Sequence, residues 1–197
     1  MKKKGKGRLF VVSAPSGAGK TTVVKGAIKK LPFTRLSVSW TTRKPRRGEK
    51  NGVDYTFVSK NEFESLIKKK GLLEWAKVFG QYYGTPMVNL KLAKRDDFDL
   101  FLIIDVQGGA QVRRRVKGAI LIFVLPPSMR VLEERLEKRG KETREEIAKR
   151  LKKSNWEISQ ASNYDYAIVN DKLKVAISEL VDIVNNERKI CHHERTK

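Results

Sequence analysis

Residues 13–22 read "SAPSGAGKTT". A loop that grips phosphate through its backbone takes the form glycine, four free positions, then Gly-Lys-Ser/Thr. Gly19, Lys20 and Thr21 meet that pattern, and Ala14 stands where the first glycine is expected. The chemistry lies in the main chain. Gly17 and Gly19 let successive amides turn toward one anion, and a helix opening near Lys20 adds its positive end. Lys20 supplies a point charge to the β- and γ-phosphates of a nucleoside triphosphate, and Thr21 offers a hydroxyl to Mg²⁺. Ala14 is tolerable there if its backbone is ordinarily extended. The run Ala14, Pro15, Ser16, Gly17, Ala18, Gly19, Lys20, Thr21 and Thr22 is therefore the expected triphosphate cradle. Asp105 ends the apolar run "FLIID". At the carboxyl end of a central strand, it would hold Mg²⁺-bound water or reach a second substrate. A turn or helix-capping role is the alternative.

These residues need a scaffold. "RLFVVS" reads as a buried strand and "TTVVKGAIKKL" as a helix stopped by Pro32. "RLSVSW" and "DYTFVS" are further strand candidates flanking the basic loop "TTRKPRRGEKNGV". Ser59 with Glu62 forms a capping box for a short helix. "LLEWAKVF" and "QYYG" suit a hairpin around Gly80, and Pro86 suits the first turn of the next helix. "DLFLIID" and "AILIFVL" are continuous, branched apolar runs, as central parallel strands require. Between them "VQGGAQVRRRV" is helical. After Pro127 a charged helical stretch breaks at Gly140 and is recapped by Thr143 with Glu146. The strand "YAIVN" and the amphipathic helix "LKVAISELVDIVNNE" close the chain. The alternation predicts an α/β domain with a doubly wound parallel sheet. Residues 37–86, basic and rich in strands, break the alternation and read as an inserted small subdomain.

The 197 residues suit one domain with insertions rather than two. With 40% hydrophobic and 33% charged residues and no membrane-spanning apolar run, a soluble chain is expected. No secretory signal is visible, so the cytoplasm is the default. The net charge of +21 would draw polyanions. No helix-turn-helix, zinc-finger or RNA-recognition signature accompanies it, so the lysine-rich surface is read as serving solubility, heat tolerance or phosphate-bearing small molecules rather than nucleic acid. Cys191 has no second cysteine to pair with. The terminal "CHHE" places metal-ligand types side by side, where they cannot all face one ion.

A triphosphate loop does not name the acceptor. "SAPSGAGKTT", "SVSWTTRKPRRGEKNGVDYTFVS", "LLEWAKVFGQYYGTP", "LIIDVQGG" and "RLEKRGKETREEIAKRL" together closely resemble guanylate kinase, a P-loop nucleoside monophosphate kinase family. The resemblance runs from about Gly7 to Glu187. It implies transfer of the γ-phosphoryl group of ATP to GMP, and to dGMP, with Mg²⁺. It implies a core of residues 1–36, 87–127 and 155–197, a GMP-binding insertion of 37–86 and a helical lid of 128–154. Arg43 and Arg46 match the pair that binds the GMP phosphate, and Tyr55 and Tyr83 match the tyrosines completing that cradle. Guanidinium forks suit a dianionic phosphate better than lysine does. Glu74 matches the guanine reader. Its carboxylate only accepts, and guanine offers two adjacent donors where adenine does not. Ser39 and Thr85 match small hydroxyl positions near the base, and Asp105 matches the family's aspartate, reaching base, Mg²⁺ or both. Arg139 and Arg150 match lid arginines that close over the transferring phosphoryl group, with Arg135 assisting. Lys20, Arg43, Arg139 and Arg150 are thus the expected catalytic set. Asn170 matches a position near the ATP adenine. Lys141 stands where the family usually has threonine. The rival expectation is an inactive guanylate-kinase-like interaction module, which typically loses the loop and lid residues kept here. A membrane partner is not expected, and the protein is read as a monomer or a dimer.

Overall fold

The structure, a computed structural model, describes residues 7–138 and 143–193, the last three as backbone only. Strand β1 (Leu9–Ser13) is fully buried, and its side chains divide between two cores. Phe10 and Val12 enter one cluster and Leu9 and Val11 the other, as alternation across a covered sheet dictates. Helix α1 (Lys20–Ile28) follows, ending three residues short of the expected Leu31. Strand β2 (Thr34–Leu36) returns to the same sheet.

The expected single strand "RLSVSW" is two. β2 ends at Leu36, and β3 (Trp40–Thr41) belongs to a second sheet with β4 (Thr56–Phe57). Ser37 donates its amide to Phe101 O at 2.8 Å, the last tie to the first sheet before the chain crosses over. Apolar content alone does not reveal that a run changes sheets midway. Helix α2 (Lys60–Lys68) carries the Ser59–Glu62 capping box. β5 (Leu72–Val78) and β6 (Gln81–Pro86) form the expected hairpin about Gly80. Pro86 caps α3 (Met87–Arg95) rather than entering its first turn, with φ −61° and ψ 135°.

β7 (Asp99–Ile103) precedes α4 (Val106–Arg115), and β8 (Ile120–Leu125) precedes α5 (Met129–Glu137). α6 (Arg144–Ser159) opens with the Thr143–Glu146 capping box. The expected break at Gly140, with Arg139 and Lys141, lies outside the described residues. β9 (Tyr166–Val169) and α7 (Leu173–His193) complete the chain.

The first sheet runs β2-β7-β1-β8-β9, parallel throughout. The second runs β4-β3-β6-β5 with mixed directions. α1 and α7 cover one face of the parallel sheet, stacking Val23, Val24, Ala176, Leu180 and Val184 against Phe10 and Phe101. α3 and α4 cover the other with Leu90 and Val112. Each fully buried Val, Leu or Phe among these contributes about 1.5–3 kcal/mol relative to exposure. At the amino ends of the strands, Arg188 Nε donates to Asp99 Oδ2 at 2.7 Å and the Arg8 amide to Oδ1 at 3.0 Å. That buried ion pair pins α7 under β7. The chemistry-bearing loops gather at the opposite, carboxyl end, where chain order reverses about β1. Among the described residues, no helix is long and apolar enough to cross a membrane.

Candidate active site

β1 delivers the chain into the loop at Ser13, and α1 takes it away at Lys20. Ala14 is buried and is not among the residues of positive φ. A methyl group is therefore accommodated in the place of the expected glycine. Gly17 and Gly19 have φ of 96° and 86°, where a side chain is strained. A Cβ on Gly17 would press on Leu132 and Leu136 of α5, and one on Gly19 would strike the Asn170 amide. Gly19 caps α1 with no side-chain hydrogen bond. The first amides of the helix thus form a donor set for an anion.

Lys20 Nζ donates to Ile104 O at 2.7 Å, which draws the ammonium to the end of β7. Burial lowers its pKa from the usual lysine value, and Asp105 and Glu157 oppose that shift. Asp105 caps α4, accepting from the Gly108 amide at 2.9 Å and from Gln107 Nε2 at 3.2 Å. It also lines the cleft, so the capping and cleft roles coexist in one carboxylate.

On the facing sheet, Glu74 of β5 pairs with Thr85 of β6. Glu74 is 2% exposed, and its Oε1 accepts from Thr85 Oγ1 at 2.6 Å. A Cβ on Gly108 would collide with Oε2, so the glycine in α4 is what leaves room for this carboxylate. Burial pushes the Glu74 pKa up to about 7; the Thr85 hydrogen bond opposes the shift, and the nearby Asp105 charge adds to it. Tyr55 and Tyr83 meet edge to face with centroids 6.0 Å apart, and Arg43 Cζ lies 5.4 Å from the Tyr55 centroid.

A cleft of about 540 Å³ joins the two halves, well within the range for small-molecule sites. Its wall collects Ala14, Pro15, Ser16, Gly17, Gly19, Lys20, Thr21 and Thr22 with Ser39, Arg43, Arg46, Tyr55, Glu74, Tyr83, Asp105 and Arg150. Three expected residues stand behind that wall. Ala18 is wholly buried, Thr85 acts through Glu74, and Asn170 Nδ2 donates to Ala18 O at 2.7 Å, bracing the loop from the rear. Arg135 reaches the same corner, donating to Asn170 O at 2.9 Å. Arg139 lies outside the described residues.

Sequence reasoning missed several wall residues. Glu49 grips Arg43 in a fork, accepting from Nη1 at 2.9 Å and Nη2 at 2.8 Å, and takes the Arg46 amide at 2.7 Å. It thereby fixes the basic loop that carries both arginines. Its own burial is outweighed by those bonds, which hold its carboxyl below the usual range. Lys25 of α1 reaches Asp54, beside Tyr55, at 2.9 Å across the cleft. Lys153 and Glu157 line the cleft beside Arg150, at the three- and seven-residue spacing that puts side chains on one helix face. That periodicity was legible; nothing local marked the face as inward.

Among the described residues no group of three His, Cys, Asp or Glu is placed to cage a metal. The Thr21 hydroxyl and Asp105 are hard oxygen donors beside the loop. This suits Mg²⁺, which keeps several waters and travels with phosphate oxygens.

The guanylate kinase family model matches residues 6–187. A guanylate kinase from Neisseria gonorrhoeae is 50% identical over 180 residues, covering 91% of this chain and 88% of the relative. One from Shewanella violacea is 46% identical over 184 residues, covering 93% and 89%. The crystal structure of guanylate kinase from Anaplasma phagocytophilum superposes with TM-score 0.79 at 33% identity, covering 94% of this chain and 88% of that one. With a phosphate loop facing a buried carboxylate across one cleft, and these likenesses spanning nearly all of its length, the chain belongs to the guanylate kinase family.

Proposed function

We propose that the protein transfers the γ-phosphoryl group of ATP to GMP, and to dGMP, giving ADP and GDP. The observation that carries this reading is Glu74: a carboxylate buried in the cleft wall, its Oε1 held by Thr85, has no role in packing an apolar core. When ionised it accepts from guanine N1–H and the 2-amino group, and adenine, with an acceptor at N1, leaves it unsatisfied. Ser39 lines the same cleft. Arg43, Arg46, Tyr55 and Tyr83 bind the GMP phosphate, with Glu49 holding the arginines in place. Residues 37–86 act as the acceptor-binding unit and 128–154 as a lid on the core.

At the donor end, the amides after Gly17 cradle the triphosphate, Lys20 neutralises its β- and γ-oxygens, and Asn170 keeps the loop in shape. Thr21 and, through water, Asp105 would hold Mg²⁺, which would supply further charge neutralisation. Arg150, which donates to Ser16 Oγ at 3.0 Å, spans the gap between lid and loop. Arg139 is proposed as its companion. No general base is required, because the GMP phosphate oxygen is already a nucleophile. Positioning and charge neutralisation carry the rate. The keeping of Lys20, Thr21 and Arg150 in one cleft favours this reading over an inactive interaction module.

The test is ADP formation from ATP with GMP, dGMP, AMP, CMP and UMP as acceptors. GMP should be the preferred ribonucleotide, and Lys20→Ala should lower turnover by roughly 10²–10³. Equal rates with AMP and GMP would sink the Glu74 reading. Near-normal turnover in Lys20→Ala would sink the phosphate-loop mechanism.

A further inference from the structure

The β5–β6 hairpin turns on two residues, Phe79 and Gly80, between the paired Val78 and Gln81. Both have positive φ, 47° and 81°, as two-residue hairpin turns of the I′ kind require. Gly80 adopts this at no steric cost. A phenylalanine does not, since that region suits asparagine, aspartate or glycine and a bulky residue there is an outlier. Nor does burial compensate, because Phe79 is 57% exposed. What the ring does meet is α6. Arg150 Cζ lies 4.9 Å and Lys153 Nζ 5.0 Å from its centroid, both within cation–π range. Arg150 also reaches Ser16 in the phosphate loop, and Lys153 lies 3.5 Å from Glu157. One exposed ring, carried by the sheet that holds Glu74 and Tyr83, thus touches two cations on the helix that reaches the donor site.

We propose that Phe79 is a positioning residue for phosphoryl transfer: its ring seats Arg150 and Lys153 so that their charges converge on the cleft when the acceptor sheet faces α6. This rests on reading Arg150 as a contact to the transferring phosphoryl group, and it adds Lys153 as a second cation on the same face. The π-face attracts both cations without a directional hydrogen bond, so each can turn to a phosphate oxygen without leaving a buried donor unpaired. Charge neutralisation at the donor site then depends on the position of the acceptor sheet. The strained turn is kept because the ring, not the backbone, is what the position supplies.

Phe79→Asn separates the two roles, because Asn-Gly is a favoured I′ pair. It strengthens the turn and removes the ring. The expected result is an unchanged or raised melting temperature with kcat for ATP and GMP lowered about 5- to 20-fold. KM for GMP should stay within about twofold. Phe79→Trp, which keeps an aromatic face, should recover most of kcat. Phe79→Asn with kcat within about twofold of the parent overturns the proposal, as does a Phe79→Trp variant no better than Phe79→Asn. Arg150→Met, measured in parallel, tests the underlying reading. Full turnover there overturns the phosphoryl contact and the Phe79 role with it, whereas a slow Arg150→Met beside a normal Phe79→Asn overturns the Phe79 role alone.

Discussion

Replacing Glu74 with glutamine should make the protein more stable and a worse kinase. Burial raises the carboxyl pKa from 4.5 to about 7. Between those values the folded chain holds a proton that the unfolded chain has released, so stability falls as pH rises through this window. Above pH 7 the full penalty is present, on the order of 3 kcal/mol. Glutamine carries no such cost, and its amide oxygen still accepts from Thr85. For a chain of this size a gain of about 3 kcal/mol raises Tm by roughly 6–12 °C. The gain should be visible at pH 8 and fade toward pH 4.5. Catalysis should move the other way. Two hydrogen bonds from guanine to a charged acceptor are lost, at about 1.5–3 kcal/mol each. That lowers kcat/KM for GMP by roughly 10²–10⁴ and narrows the preference over AMP. In the parent, kcat/KM for GMP should fall about tenfold per pH unit below about pH 7, because it reports the free enzyme's ionisation. In Glu74→Gln the step near pH 7 should vanish, leaving only the fall from the GMP phosphate's own protonation at about pH 6. Thermal melts at pH 5 and 8 and ADP-coupled kinetics across pH check both arms. A variant destabilised equally at both pH values, or one with GMP kinetics within about threefold of the parent, would refute the reasoning.

Gly19→Ala should weaken ATP binding by more than about tenfold, since a left-handed L-residue costs about 1–2 kcal/mol and the new methyl displaces the Asn170 amide. Titration calorimetry should show GMP affinity unchanged. Asp99→Asn leaves Arg188 buried beside a neutral partner, so chemical denaturation should show a loss of about 3 kcal/mol. Turnover of the folded fraction should stay normal, because the pair sits at the end of the sheet opposite the cleft.

The site has two halves that differ in what their chemistry rests on. On the proposed reading the donor half works through backbone amides, which any side chain can border if two glycines turn the chain. That is why Ala14 is admissible. On the proposed reading the acceptor half works through side chains whose charge state depends on surroundings, and Glu74 can serve as a guanine reader there because Thr85, Gly108 and the covering elements hold it away from water. Its elevated pKa is the energetic cost of that placement, and in the proposed complex the ionised form gains the donors from guanine that water no longer supplies.

The phosphate loop, the apolar runs of β1, β7 and β8, and both capping boxes were legible in the sequence. Each is a local matter: a turn needing positive φ, a strand covered on two faces, a hydroxyl three residues before a glutamate. The order of motifs also pointed to the family. Tertiary structure decided the rest. It split "RLSVSW" between two sheets, because a short apolar run does not encode which sheet edge receives it. It placed Asn170 behind the loop and turned Lys153 and Glu157 inward with Arg150. It set Phe79 against two cations across the cleft and closed Glu49 around Arg43. Residue type and spacing state what a side chain is able to do. Burial and the partners across the cleft are sums over the whole chain, and they determine which of those abilities is used.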